Sequence, residues 1–332
     1  MKAASYQRTG PAREVLHVEE HEDPVPQPGE VLVRVEASGV NPSDTKMRAG
    51  WRGGAMPFPR IVPHSDGAGV IVAVGDGVDR ARLGRRVWLY NATALYDASR
   101  ALGTAAELCA LPQHQAIDLP AGATALEGAC FGVPACTAHR AVFAEGSVEG
   151  LTVLVQGGAG SVAHYAIQFA KLGGARVIAT VSSEAKAAHA RQAGADEVVN
   201  YRTDDVVSRV LALSGGQGVD RIIEVDLGAN LAQDVPLIKA NGHIASYSST
   251  AVPEPVFPYY PLAFKGVTLR LVQGFNLPAA ARAAAVADLD RWCAQGQLKH
   301  AIGAVFPLER IAEAHEAVET KSVIGKVLVS LT

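Results

Sequence analysis

A glycine-rich turn in the middle of the chain has the spacing of a phosphate-binding loop. Residues 154–163 read LVQGGAGSVA, an apolar run that leads through glycines into helix-forming residues. Gly157 and Gly160 let the backbone approach a pyrophosphate closely, and Ala163 is small enough for helix–strand packing. Free amides at the helix N-terminus then bind the negative charge. The spacing predicts a dinucleotide site, and a tight strand–helix turn without a ligand is the alternative.

The end of the next strand lacks the carboxylate that NAD-binding domains place there. That carboxylate stands about 20 residues beyond the first glycine and accepts the ribose hydroxyls. Here the chain has Ser182 and Ser183, with Lys186 just beyond, and Glu184 is the one acid nearby. A missing carboxylate beside a cation favours the 2′-phosphate of NADP. Taken alone, Lys186 would be interpreted as a solvated surface lysine.

The middle of the chain alternates short apolar strands with helices. Strands that are apolar on both faces and are each followed by a helix are typical of a parallel sheet covered on both sides. We therefore predict an α/β fold with a Rossmann doubly wound parallel sheet. The predicted strands are 153–155, 176–181, 197–199, 219–225 and 243–246, and the predicted helices are 162–172, 184–192, 204–213 and 229–238.

The two ends of the chain have a different pattern. Val31, Val33 and Val35 recur at a period of two, which is typical of a strand with one covered face. Glycine and proline separate further short strands, which indicates a small barrel-like domain. After the alternating region come an alanine-rich helix at 280–295 and a final strand at 326–331. The simplest architecture is a β-domain interrupted by a Rossmann domain, with the tail returning to the first domain.

Length and composition favour a globular protein of two domains. The 332 residues exceed the ~100–200 of a usual domain, and 48% are hydrophobic. A net charge of −3 implies no basic face, so nucleic acid is not an expected partner. Neither a signal-peptide core nor an apolar run of ~18 residues is present, which predicts no membrane span. The four scattered cysteines favour reduced thiols and a cytoplasmic location.

Several motifs in a fixed order surround the glycine turn. Residues 28–35 (PGEVLVRV), 39–44 (GVNPSD) and 65–69 (SDGAG) precede it, and 200–202 (NYR) and 325–327 (GKV) follow it. With these motifs, essentially the whole chain resembles the medium-chain dehydrogenase/reductase superfamily. Within that superfamily it resembles the zinc-independent quinone oxidoreductases, the zeta-crystallin-like branch.

The resemblance implies a domain organisation and an assembly. A GroES-like β-barrel catalytic domain is expected at 1–127, a Rossmann NADP-binding domain at 128–267, and a return to the catalytic domain at 268–332. A homodimer is also implied.

The resemblance further implies NADPH as the cofactor and assigns contacts to it. Ser182, Lys186 and Tyr201 match positions that contact the 2′-phosphate, Thr137 matches a threonine beside the nicotinamide, and Asn41 lies where relatives approach that ring. Other candidates sit in the glycine turn, just past the ends of sheet strands, or in the last motif. The complete predicted set is Asn41, Thr137, Gly157, Ala159, Gly160, Ser161, Val162, Ser182, Lys186, Tyr201, Val225, Tyr247, Ser248 and Lys326.

The same comparison argues against a bound metal. Zinc-dependent relatives carry cysteine at the position of Asn41 and His-Glu at the positions of Ser65 and Asp66, and their lobe of four close cysteines is absent. His64 is one position out of register, and we interpret it as a loop histidine bonded to backbone. Residues 17–21 match the HxxEH metalloprotease pattern, but that chemistry needs a helix, and prolines follow closely.

The activity implied is reduction of a quinone or a conjugated enone by hydride transfer from NADPH. Without zinc, hydrogen-bond donors must meet the charge that develops on the acceptor oxygen, and the candidates are Asn41, Ser43 and Lys46. Ser43 matches a proton-relay hydroxyl of the zinc-dependent relatives, whereas many members of the branch have tyrosine at the position of Lys46. Trp51 or Tyr96 offers an aromatic wall in its place, although each is more typical of a packing residue.

Two other functions remain open from the sequence. The first is an enoyl reductase that acts on an α,β-unsaturated ketone or thioester with the same fold and cofactor. The second is a non-enzymatic role, either crystallin-like or RNA-binding. The acidic balance and the lack of basic clusters argue against RNA.

Overall fold

The computed structural model describes residues 1–51, 53, 56–93 and 101–332. These residues divide into two compact units, which we describe separately. Unit 1 comprises Met1–Val133 and Leu289–Thr332, and unit 2 comprises Pro134–Asp288. Within the described ranges, no helix is long and apolar enough to cross a membrane.

The secondary structure alternates between strands and short helices along the chain. The strands are β1 (Lys2–Ser5), β2 (His17–Glu20), β3 (Glu30–Val40), β4 (Asp66–Val74), β5 (Arg86–Leu89), β6 (Leu108–Pro112), β7 (Ala116–Asp118), β8 (Thr152–Val155), β9 (Arg176–Val181), β10 (Glu197–Asn200), β11 (Val219–Glu224), β12 (Ile238–Ser246), β13 (Thr268–Leu271), β14 (Ile302–Pro307) and β15 (Lys326–Ser330). The helices are α1 (Ala12–Val15), α2 (Pro42–Ala49), α3 (Ala125–Gly128), α4 (Gly132–Phe143), α5 (Ser161–Leu172), α6 (Glu184–Gln192), α7 (Val206–Leu213), α8 (Leu227–Leu237), α9 (Tyr259–Ala263), α10 (Ala279–Ala294) and α11 (Ile311–Glu319). Single 3₁₀ turns cover Arg80–Arg82, Gln113–Gln115 and Leu308–Arg310.

Unit 2 is built on a six-stranded parallel sheet with the order β10-β9-β8-β11-β12-β13. The order reverses between β8 and β11, and doubly wound sheets bind their ligands beyond the carboxyl ends of the strands at such a reversal. The glycine turn follows β8 directly. The predicted α/β class and Rossmann doubly wound sheet are confirmed.

The apolar runs of the sequence are the buried strands of this sheet. Val153, Leu154 and Val155 are completely buried, as strands covered on both faces require. The predicted strand at 176–181 and the predicted helix at 184–192 coincide with β9 and α6. Hydrophobic patterning therefore located most of the elements that carry the glycine turn.

The sixth strand, β13, was not predicted from the sequence. It pairs in parallel with β12, so residues 268–271 belong to the sheet, whereas the predicted Rossmann domain ends at 267. β13 has only four residues, none of them fully buried, and its terminal Leu271 is 72% exposed. A short edge strand of this kind has no continuous apolar run by which to recognise it.

Unit 1 is built around the long strand β3. Its sheet has the order β14-β15-β3-β4-β5-β7, with β6 also paired to β3. The alternation of Val31, Val33 and Val35 is confirmed, because all three side chains are buried. β15 runs antiparallel to β3 with Val327 opposite Val40, so the last strand of the chain completes the first unit.

The metalloprotease pattern at residues 17–21 does not form a helix. Residues His17–Glu20 are strand β2, which pairs with β1. An extended chain rises about 3.3 Å per residue, so His17 and His21 would be about 13 Å apart, too far to bind one metal ion. The rejection of that pattern is confirmed.

A chain of buried polar side chains connects β3 to α11 within unit 1. Thr104 Oγ1 donates to the Asp66 carbonyl at 2.5 Å, and Ser38 Oγ lies 2.7 Å from Thr104 Oγ1 and 2.8 Å from His64 Nδ1. His64 Nε2 lies 2.9 Å from His315 Nε2, and the two rings stack. The prediction that the His64 ring bonds to backbone is wrong, because its partners are Ser38 and His315.

Hydrogen counting fixes the direction of this chain. The one hydrogen of Thr104 goes to a carbonyl, so Ser38 donates to Thr104, and His64 Nδ1–H donates to Ser38. His64 Nε2 is then bare and accepts from His315 Nε2–H, so both rings are neutral. Burial lowers the pKa of His64 well below its usual value and lowers the pKa of His315 to about 3.

Acid should therefore destabilise unit 1 through these two histidines. The unfolded chain takes up protons below the ordinary histidine pKa of 6.5, whereas the folded chain does not. The stabilisation present above pH 6.5 is thus lost as pH falls, by about 2 kcal/mol for each histidine between pH 7 and 5. Between pH 7 and 5, the free energy of unfolding of His315→Gln, measured with urea, should fall by about 2 kcal/mol less than that of wild type.

The control for this prediction is His17→Gln, which replaces an exposed histidine of β2. It should keep the pH response of wild type. Equal losses in wild type and His315→Gln would contradict the assignment of a neutral, buried histidine pair.

Candidate functional site

The glycine turn after β8 has the backbone geometry that a dinucleotide phosphate needs. Gly157 has a φ of 67°, and a Cβ there would lie 3.0 Å from Val225 Cγ1, so both conformation and space favour glycine. Gly160 is the N-cap of α5 and offers no side chain to the first amides of that helix. Those amides, of Ser161 and Val162, have no acceptor inside the helix. They form a cradle for an anion.

Thr180 on β9 holds the glycine turn in place through hydrogen bonds. Gly157 N donates to Thr180 Oγ1 at 3.0 Å, and Gly158 N donates to the Thr180 carbonyl at 2.8 Å. Thr180 Oγ1 in turn donates to Gln156 Oε1 at 2.7 Å. The amides of Gly157 and Gly158 therefore point into the protein. Of the backbone amides in this turn, those at the start of α5 are therefore the ones open to an anion, and Gly157 presents a Cα without a side chain beside them.

The three residues predicted to contact a 2′-phosphate lie together at the end of β9. Lys186 Nζ donates to Ser182 Oγ at 3.0 Å. Tyr201 N donates to the Val181 carbonyl at 3.0 Å, which places Tyr201 beside Ser182 with half of its surface exposed. Ser183 caps α6, which begins with Glu184, as predicted. The group presents one ammonium and hydroxyl groups and has no carboxylate in the position that would repel a phosphate.

The other predicted cofactor contacts of unit 2 lie where the sequence placed them. Val225 directly follows β11, and Tyr247 and Ser248 directly follow β12. Tyr247 N donates to the Glu224 carbonyl at 3.1 Å, which holds the two strand ends together. The hydroxyl of Thr137 on α4 is buried and has no hydrogen-bond partner among the described residues. A buried hydroxyl without a partner is the kind of group that a bound polar ligand satisfies.

The predicted donor groups of unit 1 lie at the start of α2. Asn41 is the N-cap of this helix, and Ser43 and Lys46 are within it. Lys46 Nζ lies 4.9 Å from the ring centroid of Trp51, a distance at which a cation and an aromatic face attract each other. Trp51, one of the two residues predicted as an aromatic wall, thus pairs with Lys46. Tyr96, the other predicted aromatic wall, lies outside the described residues.

Asn41 belongs to a buried charge cluster with Asp66 and Lys326. Lys326 Nζ donates to Asn41 Oδ1 at 2.5 Å and to Asp66 Oδ2 at 3.0 Å, and Asn41 Nδ2 donates to Asp66 Oδ2 at 2.7 Å. The second oxygen of Asp66 accepts from the Val133 amide at 2.7 Å. The Asn41 side chain is therefore fixed in one orientation. Lys326, predicted to contact the cofactor, is buried and uses two of its hydrogens within unit 1.

Asp44 adds a second carboxyl group to this cluster. Its Oδ2 accepts a hydrogen bond from the backbone N–H of Asn41 at 2.8 Å. Burial, with the negative charge of Asp66 nearby, raises the pKa of Asp44 to about 7. Gly39 and Gly132 close the cluster, because a Cβ at either position would collide with it: at Gly39 with Lys326 and at Gly132 with the Asp66 carboxylate. The cluster therefore depends on two glycines that are far apart in sequence.

The donor set in this part of unit 1 does not suit zinc. Asn41 offers an amide oxygen, and this oxygen already accepts from an ammonium. The hydroxyl of Ser65 lies 2.8 Å from that of Thr93. A lysine ammonium bound to Asn41 and Asp66 would repel a metal cation. Across the described ranges, no group of three or more His, Cys, Asp or Glu side chains is arranged to hold a metal ion.

Sequence patterning missed the buried residues that hold the site residues in place through hydrogen bonds and ion pairs. Thr180 and Gln156 fasten the glycine turn, and both read as ordinary strand residues. Asp66 was noted only for its place in a motif and in the comparison with zinc-dependent relatives, and Lys326 was predicted as a cofactor contact rather than as the partner of Asp66. A charged residue at the edge of a buried strand is a signal that would have found them, because such charges are rarely buried without a partner.

Comparison with known proteins identifies the family. The model of the alcohol dehydrogenase GroES-like domain matches residues 27–121, and that of the zinc-binding dehydrogenase domain matches residues 161–290. Human quinone oxidoreductase is 33% identical over 316 residues, which cover 93% of this chain and 91% of that protein. The predicted GroES-like domain is confirmed by the first of these matches.

Solved structures agree over the full length. An NAD-dependent alcohol dehydrogenase is 30% identical, with a TM-score of 0.88 and coverage of 100% of both chains. A mycobacterial protein complexed with NADPH is 29% identical, with a TM-score of 0.86, and the match covers 99% of this chain and 100% of that one. The chain belongs to the medium-chain dehydrogenase/reductase superfamily, in its quinone oxidoreductase branch.

Proposed function

We propose that this protein uses NADPH to reduce quinones or related conjugated carbonyl compounds by hydride transfer, without zinc. The observation that carries the proposal is the bond from Lys186 to Ser182 at the end of β9, where NAD-binding domains have a carboxylate. Full-length similarity to human quinone oxidoreductase supports the choice of acceptor.

The residues of unit 2 suit NADPH. The amides at the start of α5 suit the pyrophosphate, with Ala159 and Gly160 in the turn before them. The ammonium of Lys186, with Ser182 and Tyr201, suits the 2′-phosphate. The buried hydroxyl of Thr137 suits the nicotinamide amide, and Val225, Tyr247 and Ser248 line the strand ends that the coenzyme would cross. A mycobacterial relative was solved with NADPH.

The residues of unit 1 supply hydrogen-bond donors in this proposal. Bound NADPH supplies the hydride. The Lys46 ammonium and the Ser43 hydroxyl stabilise negative charge on the acceptor oxygen. Asn41 donates the Nδ2 hydrogen that Asp66 does not use, and Lys326 keeps this amide from flipping because it requires an oxygen at the other position. Zinc is unnecessary because these donors stabilise the negative charge on the acceptor oxygen that a metal ion would otherwise stabilise.

The two other functions are less well supported. An enoyl reductase shares the fold and the coenzyme, but the similar curated proteins include several named quinone oxidoreductases. An RNA-binding role conflicts with the net charge of −3. A cytoplasmic location is part of the proposal, and the scattered spacing of the four cysteines supports it because such spacing is not typical of a disulfide framework.

The assembly we propose is a homodimer that pairs β13 of two copies. β13 ends the parallel sheet, so its outer backbone groups face no strand within the described part of unit 2. Leu271 is 72% exposed, and Phe264 just before the strand is 86% exposed. Free strand edges with apolar side chains pair readily, and a two-fold axis lets the same patch cover itself.

The coenzyme assignment predicts that Lys186→Ala discriminates between NADPH and NADH. Loss of a charged bond to the 2′-phosphate should raise the Kd for NADPH about 10- to 100-fold, and the Kd for NADH should change little. Fluorescence titration of both coenzymes measures this. Arg209→Ala, which removes an exposed positive charge from α7, is the matched control. A preference of wild type for NADH would contradict the assignment.

The acceptor assignment predicts turnover of a simple quinone and of an enone with NADPH. Lys46→Ala should lower kcat/KM at least about tenfold, because a charged donor to the acceptor oxygen is lost. Lys321→Ala, on the exposed surface of unit 1, should leave these rates unchanged. Efficient turnover of an enoyl thioester alone would replace quinone reduction by the enoyl reductase activity. Equal rates for wild type and Lys46→Ala would remove the role of Lys46.

The proposed dimer predicts that a charge on the free edge separates the copies. Leu271→Glu and Phe264→Glu should sediment as monomers at concentrations where wild type is dimeric, because two like charges would meet at the two-fold axis. Leu83→Glu, on a partly exposed residue of unit 1, should remain dimeric. Dimers of both edge variants with wild-type stability would place the interface elsewhere.

A further inference from the structure

Two carboxyl groups meet in the interior of unit 2, behind the glycine turn. Glu224 at the end of β11 and Asp234 on α8 are both fully buried. Glu224 Oε1 accepts from the Asp226 amide and from Asn230 Nδ2, and Asp234 Oδ1 accepts from Gln156 Nε2 at 3.0 Å. The remaining oxygens, Glu224 Oε2 and Asp234 Oδ2, receive no hydrogen from any other described group. The side chains of Glu224 and Asp234 interact with each other, and these two oxygens are the ones that their other hydrogen bonds leave for that interaction.

One proton shared by the two carboxyl groups accounts for this arrangement. Two carboxylates in contact without a cation repel each other strongly, so one of them stays protonated. Burial raises the pKa of both groups, and the charge of Glu224 raises that of Asp234 further. Glu224 has two donors on its other oxygen and is the better anion. The proton therefore resides on Asp234 Oδ2 and is donated to Glu224.

Among the described residues that influence the ionisation of the pair, none is a cation that could balance a second negative charge. The charged neighbour is Asp226, whose negative charge acts against ionisation of Glu224. Tyr247 also faces Glu224, and burial raises the pKa of its phenol, so it stays neutral. Gln156 and Asn230 are neutral donors. The shared proton is thus the group that balances the second carboxylate.

A continuous run of hydrogen bonds connects this proton to the glycine turn. Asp234 Oδ1 accepts from Gln156 Nε2, Gln156 Oε1 accepts from Thr180 Oγ1, and Thr180 Oγ1 accepts from Gly157 N. Gly157 N and Thr180 Oγ1 each donate their one hydrogen, so Gln156 must accept through its oxygen and donate through its nitrogen. Gln156 can hold Thr180 only while Asp234 keeps its oxygen turned toward the Gln156 amide.

We propose that the proton shared by Glu224 and Asp234 positions the phosphate-binding turn and makes coenzyme binding sensitive to alkaline pH. When the proton leaves, the two carboxylates separate, Gln156 loses its fixed partner, and the Thr180 bond to Gly157 weakens. The amides at the start of α5 then lose their alignment, and dinucleotide affinity falls. This inference rests on the proposed dinucleotide site, and it assigns Glu224, Asp234 and Gln156 as positioning residues.

Asp234→Asn tests the proposal because it imitates the protonated state permanently. Its oxygen can accept from Gln156, and its amide nitrogen can donate to Glu224, without any titrating proton. We expect wild type to bind NADPH about tenfold more weakly at pH 9.5 than at pH 7, because one coupled proton changes affinity up to tenfold per pH unit. Asp234→Asn should bind like wild type at pH 7 and stay nearly constant to pH 9.5. Both proteins keep Lys186, so titration of that lysine cannot separate them.

Urea unfolding without coenzyme gives a readout that does not depend on the proposed function. The folded chain holds a proton that the unfolded carboxyl groups release near their ordinary pKa values of 3.8 and 4.5. Rising pH therefore lowers the free energy of unfolding of wild type until that proton leaves, and this dependence should be absent in Asp234→Asn. If NADPH binds neither protein, the dinucleotide site is wrong, while the unfolding curves still test the shared proton.

Glu224→Gln is the second variant, in case Asp234→Asn does not fold. Its oxygen can accept from the Asp226 amide and Asn230, and its nitrogen can donate to an ionised Asp234, so it should also be insensitive to pH. Asp220→Asn is the control, because Asp220 pairs with Lys239 elsewhere on the same sheet. Identical pH profiles of wild type and either test variant, in binding and in unfolding, would overturn the proposal.

Discussion

A lysine ammonium buried with one carboxylate is the interaction on which unit 1 depends. Lys326 and Asp66 are nearly inaccessible to water, and each would be costly to bury alone. Their pairing joins the last strand to β4 through Asn41 at the end of β3. It fixes the orientation of the Asn41 side-chain amide and places a positive charge beside Asn41 and Asp66. One ion pair therefore attaches β15 to β4 and sets the electrostatics of this cluster.

The two candidate sites rest on the same physical principle, since each exposed reactive surface is held by a buried polar network. In unit 1 the network is ionic and includes Asp44, whose pKa is raised by burial and by the nearby charge of Asp66. In unit 2 it is a run of hydrogen bonds that ends in a shared proton. Buried polar groups of this kind specify one geometry because any other leaves a donor or acceptor unpaired.

Hydrophobic periodicity predicted the parallel sheet because its strands are apolar on both faces, and the spacing of Gly157 and Gly160 predicted the turn. Local patterns could not predict β13, whose side chains are mostly exposed, or the partner of His64, which lies 251 residues away in sequence. They also could not show that Thr180 draws the Gly157 and Gly158 amides inward. Such features depend on contacts between residues that are far apart in sequence, and local sequence patterns do not indicate those contacts.

The return of the chain to unit 1 has a consequence for how the protein is made. β3 and β4, which begins at Asp66, leave the ribosome early, whereas Lys326 follows Asp66 by 260 residues. Until then Asp66 has no counter-charge and must remain hydrated, so the interior of unit 1 cannot close. Every strand of the parallel sheet is available before that moment. Synthesis therefore favours an order of folding in which unit 2 matures first and β15 then completes unit 1.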